Sequence, residues 1–454
     1  MPTPNLRISH VGLRGVVGKG LTATHVLQFA SAFGTFLPPG GSVIVGRDPR
    51  SSGTMIEQGV LAALAACGHR CVRLGIVSTP VIQHAIRRMG ASGGVSIGAS
   101  HNAADWNALK FFGPGGSYLS TAEAGELLDI YHLRKFSYAQ HGAIGSVQDE
   151  AGAVDAYIDE LAEAYDFYRL RRFVVVIDCC NGTSSRVLRR LVQRYGFRFI
   201  LINERMEGVA FAHEPATNAR AVALQLAPLV EPLHADAGFV FDVDSDRIGV
   251  ATDRGAPVSE ELVLPLLCDH TLPTSSGKIV ITNLSTTSLV EEVANKHGAR
   301  VVRVPVGRQA AMDALDAYKP EHVAIAGEGN GGIMLSRFRF VYDGIAAMFG
   351  ILSLMADRDV PLDEMVRGYP RYSMLKAQIP LASMRIPALL AALEEVFEGG
   401  LVNVTDGLRM DWPDHWFHVR VSQTEPVVRV ICEQRGDPPD GLFRDLVDRA
   451  RGLA

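Results

Sequence analysis

Asp242, Asp244 and Asp246 stand at alternate positions at the end of an apolar run, "GFVFDVDSDRIGV", and Arg247 follows them directly. Carboxylates this close repel one another unless a cation offsets their charge. Hard oxygen donors at this spacing suit Mg2+, which keeps room for waters or a phosphate oxygen. An EF-hand is excluded, because its sixth loop position falls on Arg247 instead of glycine and no helical pattern precedes it. The plainer alternative is a solvated acidic turn, but a strand end in an α/β sheet is where ligands bind.

A second constellation is "SIGASHNAADWNALKFF", in which Ser100 stands beside His101 and Asn102, with Lys110 further on. Gly98 and Ala99 permit a tight turn. A serine hydroxyl needs a base or a cation before it acts as a nucleophile. Position 102 is Asn, so this is not the Gly-x-Ser-x-Gly elbow of esterases. A polar turn whose Ser and Asn cap a following helix explains the same residues.

Two further segments carry binding chemistry. "AIAGEGNGGIM" presents Glu328 and Asn330 among glycines, a carboxylate and an amide suited to sugar hydroxyls; a hairpin turn accounts for the glycines equally well. "RVSQTEPVVRV" groups Arg420, Ser422, Gln423, Thr424 and Arg429, the ingredients of a phosphate cradle. An ordinary strand–turn–strand with solvated charges is its alternative.

The elements that must position these groups follow a β-α-β rhythm. "GSVIVGRD" reads as a strand, "MIEQGVLAALAACG" as a helix closed by Gly68, and "RCVRLGIV" as the next strand. The pattern restarts at "RFVVVIDCCNGTSSRVLRRLVQRYG" and again at "GKIVITNLSTTSLVEEVANKHG". From about Tyr372 a helix (Ile386 to Phe397), the runs "WFHVRVS" and "VVRVICEQ", and a last helix read as a smaller α+β unit. The expected architecture is α/β: three consecutive α/β domains with mixed, mainly parallel sheets over residues 1–148, 149–254 and 255–370, then an α+β domain over 371–454, around a central cleft. A chain of 454 residues is too long for one core.

The formal net charge of −5 argues against a nucleic-acid partner. Six cysteines without zinc-site spacing fit a reducing compartment. The start of the sequence has no signal-peptide pattern, and no apolar run approaches a membrane span. The expectation is a cytoplasmic protein with neither a nucleic-acid nor a membrane partner.

Taken together and in order, these segments resemble the α-D-phosphohexomutase superfamily over essentially the whole chain. "GASHNAADWNALKF" resembles its phosphoserine loop, "DVDSDR" its magnesium loop, "GEGNGG" its sugar loop and "RVSQTEP" its phosphate loop. "GLRGVVGKGLT" is similar to the family's opening Arg-Gly turn, which would bring Arg14 to the site, and "VGRDPRSSG" is a further family-like turn. Ala103 replaces the family's usual Pro, Gln423 its Gly or Asn, and Val243 a frequent Gly; none removes a reacting group. The resemblance implies a reversible phosphoryl shift between O6 and O1 of a hexose, through phosphoserine at Ser100 and a hexose 1,6-bisphosphate. It implies Mg2+ held by Asp242, Asp244 and Asp246 together with Ser100. Lys110, Arg247 and Arg14 would stabilise the transferring group, with His101 assisting a proton or orienting the loop. Glu328 and Asn330 would hold the sugar; Arg420, Ser422, Gln423, Thr424 and Arg429 would hold the idle phosphate. "GEGNGG" lacks the Ser and His of Glu-x-Ser-Gly-His enzymes and, with "DWNALKF", looks closer to archaeal-type phosphoglucosamine mutases. The implied assembly is a monomer or homodimer.

Overall fold

A computed structural model describes residues 6–10, 12–206, 208–380, 386–422 and 427–452. Four sheets follow one another along these residues. The first has seven strands, in the order Leu6–Ser9, Gly12–Val16, Trp106–Phe112, Gly93–Ile97, Ser42–Arg47, Arg70–Ile76 and Val147–Asp149. Its last four strands run parallel, and its first four pair antiparallel. The second sheet orders Pro257–Val258, Ile248–Thr252, Ala237–Phe241, Val174–Asp178 and Arg198–Ile202. The third orders Arg300–Val304, Ile279–Asn283, Val323–Gly327 and Ile333–Leu335. In all three sheets parallel pairs joined by helical crossovers lie beside antiparallel edge strands, as in many α/β folds. The fourth sheet, Tyr372–Pro380, Val427–Arg435, His415–Val421, Leu408–Asp411 and Leu401–Asn403, is wholly antiparallel and carries the helices Ile386–Val396 and Asp440–Gly452.

The apolar runs become strands buried on both faces. All five residues of Ala237–Phe241 are buried, which is why that stretch shows no polar alternation. One continuous apolar core joins the second and third sheets to the helix Thr79–Arg88 of the first. The fourth sheet has a core of its own, around Leu389, Phe417, Val430 and Leu446. It meets the third sheet largely through polar contacts: His418 Nδ1 with Ser285 Oγ (2.9 Å), the Ser288 amide to Glu433 (2.7 Å), the Val306 amide to Asp406 (2.9 Å) and Lys376 to Glu261 (2.7 Å).

No helix follows Ser100 for that serine to cap. The chain turns and enters the strand Trp106–Phe112, whose Lys110 pairs in register with Ser96 on one side and Gly12 on the other. The aspartate segment 242–247 connects two antiparallel strands, with Phe241 opposite Ile248.

Candidate active site

The serine loop is built around a buried arginine. Arg50, fully inaccessible, donates to the carbonyls of Ser100 (3.0 Å), Asn102 (2.7 Å) and Trp106 (3.1 Å), and also to that of Ala103. Asp48 holds the guanidinium from behind at 2.9 Å. A Cβ on residue 98 would come within 2.6 Å of the Asp48 carboxylate, so only glycine lets the strand end pass this pair. The loop leaves Ser100 at φ +49°, a left-handed conformation uncommon for any residue but glycine. Such a conformation persists where its surroundings over-determine it, and here Arg50 does so.

Ser100 is 2% exposed, and its hydroxyl donates to Asp242 Oδ2 at 2.5 Å. One carboxylate oxygen from each of Asp242, Asp244 and Asp246 lies within 4.8 Å of the others, and all three residues are buried. Their loop is held by its backbone: the Thr183 amide and hydroxyl both donate to the Val243 carbonyl (2.9 Å), the Thr79 amide to that of Asp244 (3.1 Å) and the Gly344 amide to that of Ser245 (3.0 Å). Lys110 Nζ sits 2.5 Å from Asp244 and 3.2 Å from Asp246. Arg308, at the start of the helix Arg308–Tyr318 in the third unit, reaches Asp246 at 2.7 Å while lying over the rings of Tyr118 and Tyr342.

This geometry splits the acidity of the trio. Burial, and then the charges of Asp246 and Asp244, push Asp242 well above the usual carboxylate range. Burial opposes ionisation of Asp246 too, but Arg308, Lys110 and Arg247 outweigh it and hold that carboxyl well below the range. Burial likewise works against the Lys110 charge, and Asp244 and Asp246 overcome it. Asp244 Oδ1 and Asp246 Oδ1 are buried without a hydrogen-bond partner among the described residues. Buried polar atoms are normally satisfied. Three hard oxygen donors converging with two unspent atoms fit a small divalent cation.

Cations rim the serine. Arg14, opposite Ala108 in the sheet, donates to Asn102 Oδ1 at 2.9 Å. Burial, then the charge of Arg308, lowers its pKa to about 10, which leaves it charged at neutral pH. Arg247 donates to His101 Nδ1 at 3.0 Å, and that nitrogen lies 3.5 Å from Ser100 Oγ. The charge of Arg247 above all, and then burial, holds the imidazole far below its ordinary value and hence neutral.

The glycine-rich segment closes beside this cluster. Asn330 Nδ2 donates to Glu328 at 2.9 Å, and the Ile248 amide donates to the Gly331 carbonyl at 3.1 Å, one residue from Arg247. A Cβ on residue 331, where φ is +82°, would meet the Ile248 carbonyl at 2.1 Å; the glycine permits the approach.

The structure thus joins Ser100, His101, Lys110, Arg14, Arg247 and the three aspartates in one network, with Glu328 and Asn330 alongside. Arg420, Ser422 and Arg429 stand on the fourth sheet, Arg420 directly opposite Arg429 in register. Gln423 and Thr424 lie outside the described residues. Arg420 is nearly inaccessible; its Nε donates to Asp406 at 2.8 Å, and its Nη2 is buried with no hydrogen-bond partner among the described residues. Asp406 also accepts the Val306 amide, two residues before Arg308. Arg50, Asp48, Arg308 and Asp406 were not singled out by the sequence. "VGRDPRSSG" was the one signal, a charged turn just past a strand.

Three family models match in sequence: phosphoglucomutase/phosphomannomutase alpha/beta/alpha domain I over residues 8–137, domain II over 155–255 and domain III over 262–372. A protein of Thermococcus kodakarensis described as a probable phosphoglucosamine mutase is 32% identical over 428 residues, covering 93% of each chain. This chain belongs to the phosphoglucomutase/phosphomannomutase family, of the α-D-phosphohexomutase superfamily. It is a phosphohexomutase, an isomerase acting on hexose phosphates. A Thermococcus kodakarensis relative named phosphoglucomutase/phosphomannomutase is 29% identical over 443 residues, 96% of each chain. The phosphohexomutase also shares its fold with a solved structure of a phosphoglucomutase/phosphomannomutase family protein from Burkholderia thailandensis, with a TM-score of 0.83, 24% identity, and coverage of 98% of this chain and 97% of that one. No helix of the described residues is long and apolar enough to cross a membrane.

Proposed function

We propose that this phosphohexomutase interconverts glucosamine 6-phosphate and glucosamine 1-phosphate through phospho-Ser100 and a 1,6-bisphosphorylated sugar. The observation that carries the reading is the seat of the Ser100 hydroxyl, 2.5 Å from Asp242, in a network that Lys110, Arg14 and Arg247 join through Asp244, Asn102 and His101.

Phospho-Ser100 gives its phosphoryl group to the free hydroxyl of the bound sugar: the bond to Ser100 Oγ breaks, one to the sugar oxygen forms, and the proton of the sugar hydroxyl ends on Ser100 Oγ. The bisphosphate then turns end for end and returns its other phosphoryl group to Ser100 Oγ. Lys110, Arg14 and Arg247 stabilise the oxygens of the group in flight. Mg2+ on Asp242, Asp244 and Asp246 supplies Lewis-acid charge withdrawal when bound. His101 accepts from Arg247 through Nδ1 and orients that arginine beside the serine. Arg420, Ser422, Gln423, Thr424 and Arg429 clamp the idle phosphate. A clamp that must accept either end of the sugar recognises phosphate more than ring, and its separate core suits it to move while the intermediate reorients.

The glucosamine preference rests on Glu328, a nearly buried carboxylate in "GEGNGG" that suits an ammonium substituent better than a hydroxyl. The resemblance to a phosphoglucomutase/phosphomannomutase favours glucose or mannose phosphate as a second reading. Incubation with hexose 1,6-bisphosphate and, in turn, glucosamine, glucose and mannose 6-phosphates, with products read by phosphorus NMR, tests both. The 1-phosphate should form fastest from glucosamine 6-phosphate. Inorganic phosphate without any 1-phosphate would sink the mutase reading in favour of a phosphatase.

A further inference from the structure

A cavity of about 790 Å³ lies away from the residues described above, lined among others by Gln83, Arg87, Ser117, Arg337 and Arg339. It is lined by residues of the third unit together with Gln83, Arg87, Gly115 and Ser117 of the first. Gly277 and Pro320, just before the parallel strands Ile279–Asn283 and Val323–Gly327, line it. Ser285 and Glu328 follow the opposite ends of the same strands. Strands of this length span about 16 Å, so the two sites face opposite ends of one sheet.

Arg339 is the unusual group. Its side chain is 4% exposed, yet Nε, Nη1 and Nη2 all lack a hydrogen bond among the described residues. Glu160 and Asp343 approach only to 3.7 and 3.8 Å, and both are committed elsewhere. Glu160 holds His84 at 2.8 Å and Arg87 at 2.7 Å; Asp343 accepts the Tyr157 hydroxyl and the Ala346 amide. The guanidinium lies 4.3 Å from the Phe338 ring centroid. A buried guanidinium with unspent donors is costly unless an acceptor meets it. The planar fork matches phosphate oxygens, and Arg87 and Arg337 add charge at the same cavity. Phe338 and Phe340 offer an apolar wall. The volume is that of a metabolite site and far exceeds what inorganic phosphate fills.

The cavity wall is continuous with the catalytic loop. Three residues beyond Arg339, the ring of Tyr342 lies 4.7 Å from the Arg308 guanidinium carbon. Asp343 caps the helix Gly344–Arg358, and the Gly344 amide donates to Ser245 in the aspartate loop at 3.0 Å. We propose that this cavity is an effector site for a phosphorylated metabolite with an apolar or planar body, whose phosphoryl group pairs with Arg339, Arg337 and Arg87 and whose binding is felt at the aspartate loop.

The test is calorimetry on the full chain with adenosine monophosphate, uridine diphosphate and phosphoenolpyruvate as probes. Adenosine and inorganic phosphate are the controls, and saturating glucosamine 6-phosphate occupies the cleft. At least one phosphorylated probe should bind at one per chain and more tightly than either control. Arg337→Gln, an exposed change, should weaken it at least tenfold, as should Arg339→Met, while Arg420→Ala should not. Hydrogen exchange at the Gly344 amide should slow severalfold on binding. No binding by any probe, binding indifferent to Arg337→Gln, binding lost in Arg420→Ala, or binding without change at Gly344 would each overturn the proposal. If Arg339→Met does not fold, Arg337→Gln decides. None of these readouts requires turnover, so the result stands apart from the mutase reading.

Discussion

The Ser100 hydroxyl and the Asp242 carboxylate, 142 residues apart in sequence, meet at 2.5 Å. The first belongs to a loop of the first sheet, the second to the turn after a strand of the second. The contact places a potential nucleophile in the one buried trio of carboxylates found among the described residues.

Ser100→Ala should abolish phosphoprotein formation and reduce turnover by at least about a thousandfold. Intact-mass analysis after incubation with hexose 1,6-bisphosphate checks the first outcome, and the NMR assay the second. Full turnover in this variant would remove the serine from the mechanism.

Asp244→Asn should raise the Mg2+ concentration needed for half-maximal rate by more than about tenfold and lower the maximal rate as well. The same change takes a charge partner from Lys110. Titration of activity after chelation, in both proteins, measures the shift. Unchanged metal dependence would move the cation elsewhere.

Arg50→Lys keeps a charge but loses the fork that gathers the carbonyls of Ser100, Asn102, Ala103 and Trp106. Leaving those groups and Asp48 underpaired in a buried position should cost roughly 2–4 kcal/mol. The melting temperature should fall, and kcat should fall more than KM rises, because the loop geometry is lost while the phosphate clamp is not. An unchanged kcat would make Arg50 merely structural.

Arg420→Ala should raise KM for the hexose phosphate about tenfold or more and lower kcat too, because the clamp orients the reacting end. Asp406→Ala should do the same more weakly, since it frees Arg420 Nε and the Val306 amide together. Steady-state kinetics on both variants decide whether the clamp is assigned to the right arginine.

His418 is fully buried, contacting the Asp406 carbonyl through Nε2 and the Ser285 hydroxyl through Nδ1. Burial holds its pKa down to about 4, below an unfolded value of about 6.5. Between these values the unfolded chain binds the proton and the folded one does not, so stability falls as pH falls. The slope should approach 1.4 kcal/mol per pH unit from this residue alone. Thermal melts from pH 7 to 4 on the native protein and on His418→Asn should show a shallower decline in the variant.

The groups that the structure brings together were legible where residue types cluster locally: the aspartates at alternate positions, the Ser-His-Asn turn with Lys110 beyond it. The strands announced themselves as β-branched runs and the helices by their closing glycines, as at Gly68. Arg308, Arg50 and Asp406 were not legible as partners. Arg308 meets Asp246 across 62 residues, Arg50 meets the serine loop across 50 or more, and Asp406 meets Val306 across 100. No local pattern encodes such pairings; they follow from how the sheets are set against one another. The helix-capping alternative for Ser100 failed for a related reason, since the chain after it is drawn into strand pairing with both Gly12–Val16 and Gly93–Ile97.

The stretch from Val306 to Arg308 is fastened at one end to the aspartate that steadies Arg420 and at the other to Asp246. Two residues of backbone reach no further than about 7 Å. A swing of the C-terminal unit large enough to loosen Asp406 therefore tugs on a cation beside the acidic trio. On the proposed assignment, capture of a phosphate by Arg420 and the electrostatic balance beside Ser100 become one adjustment, tuned by a strap three residues long.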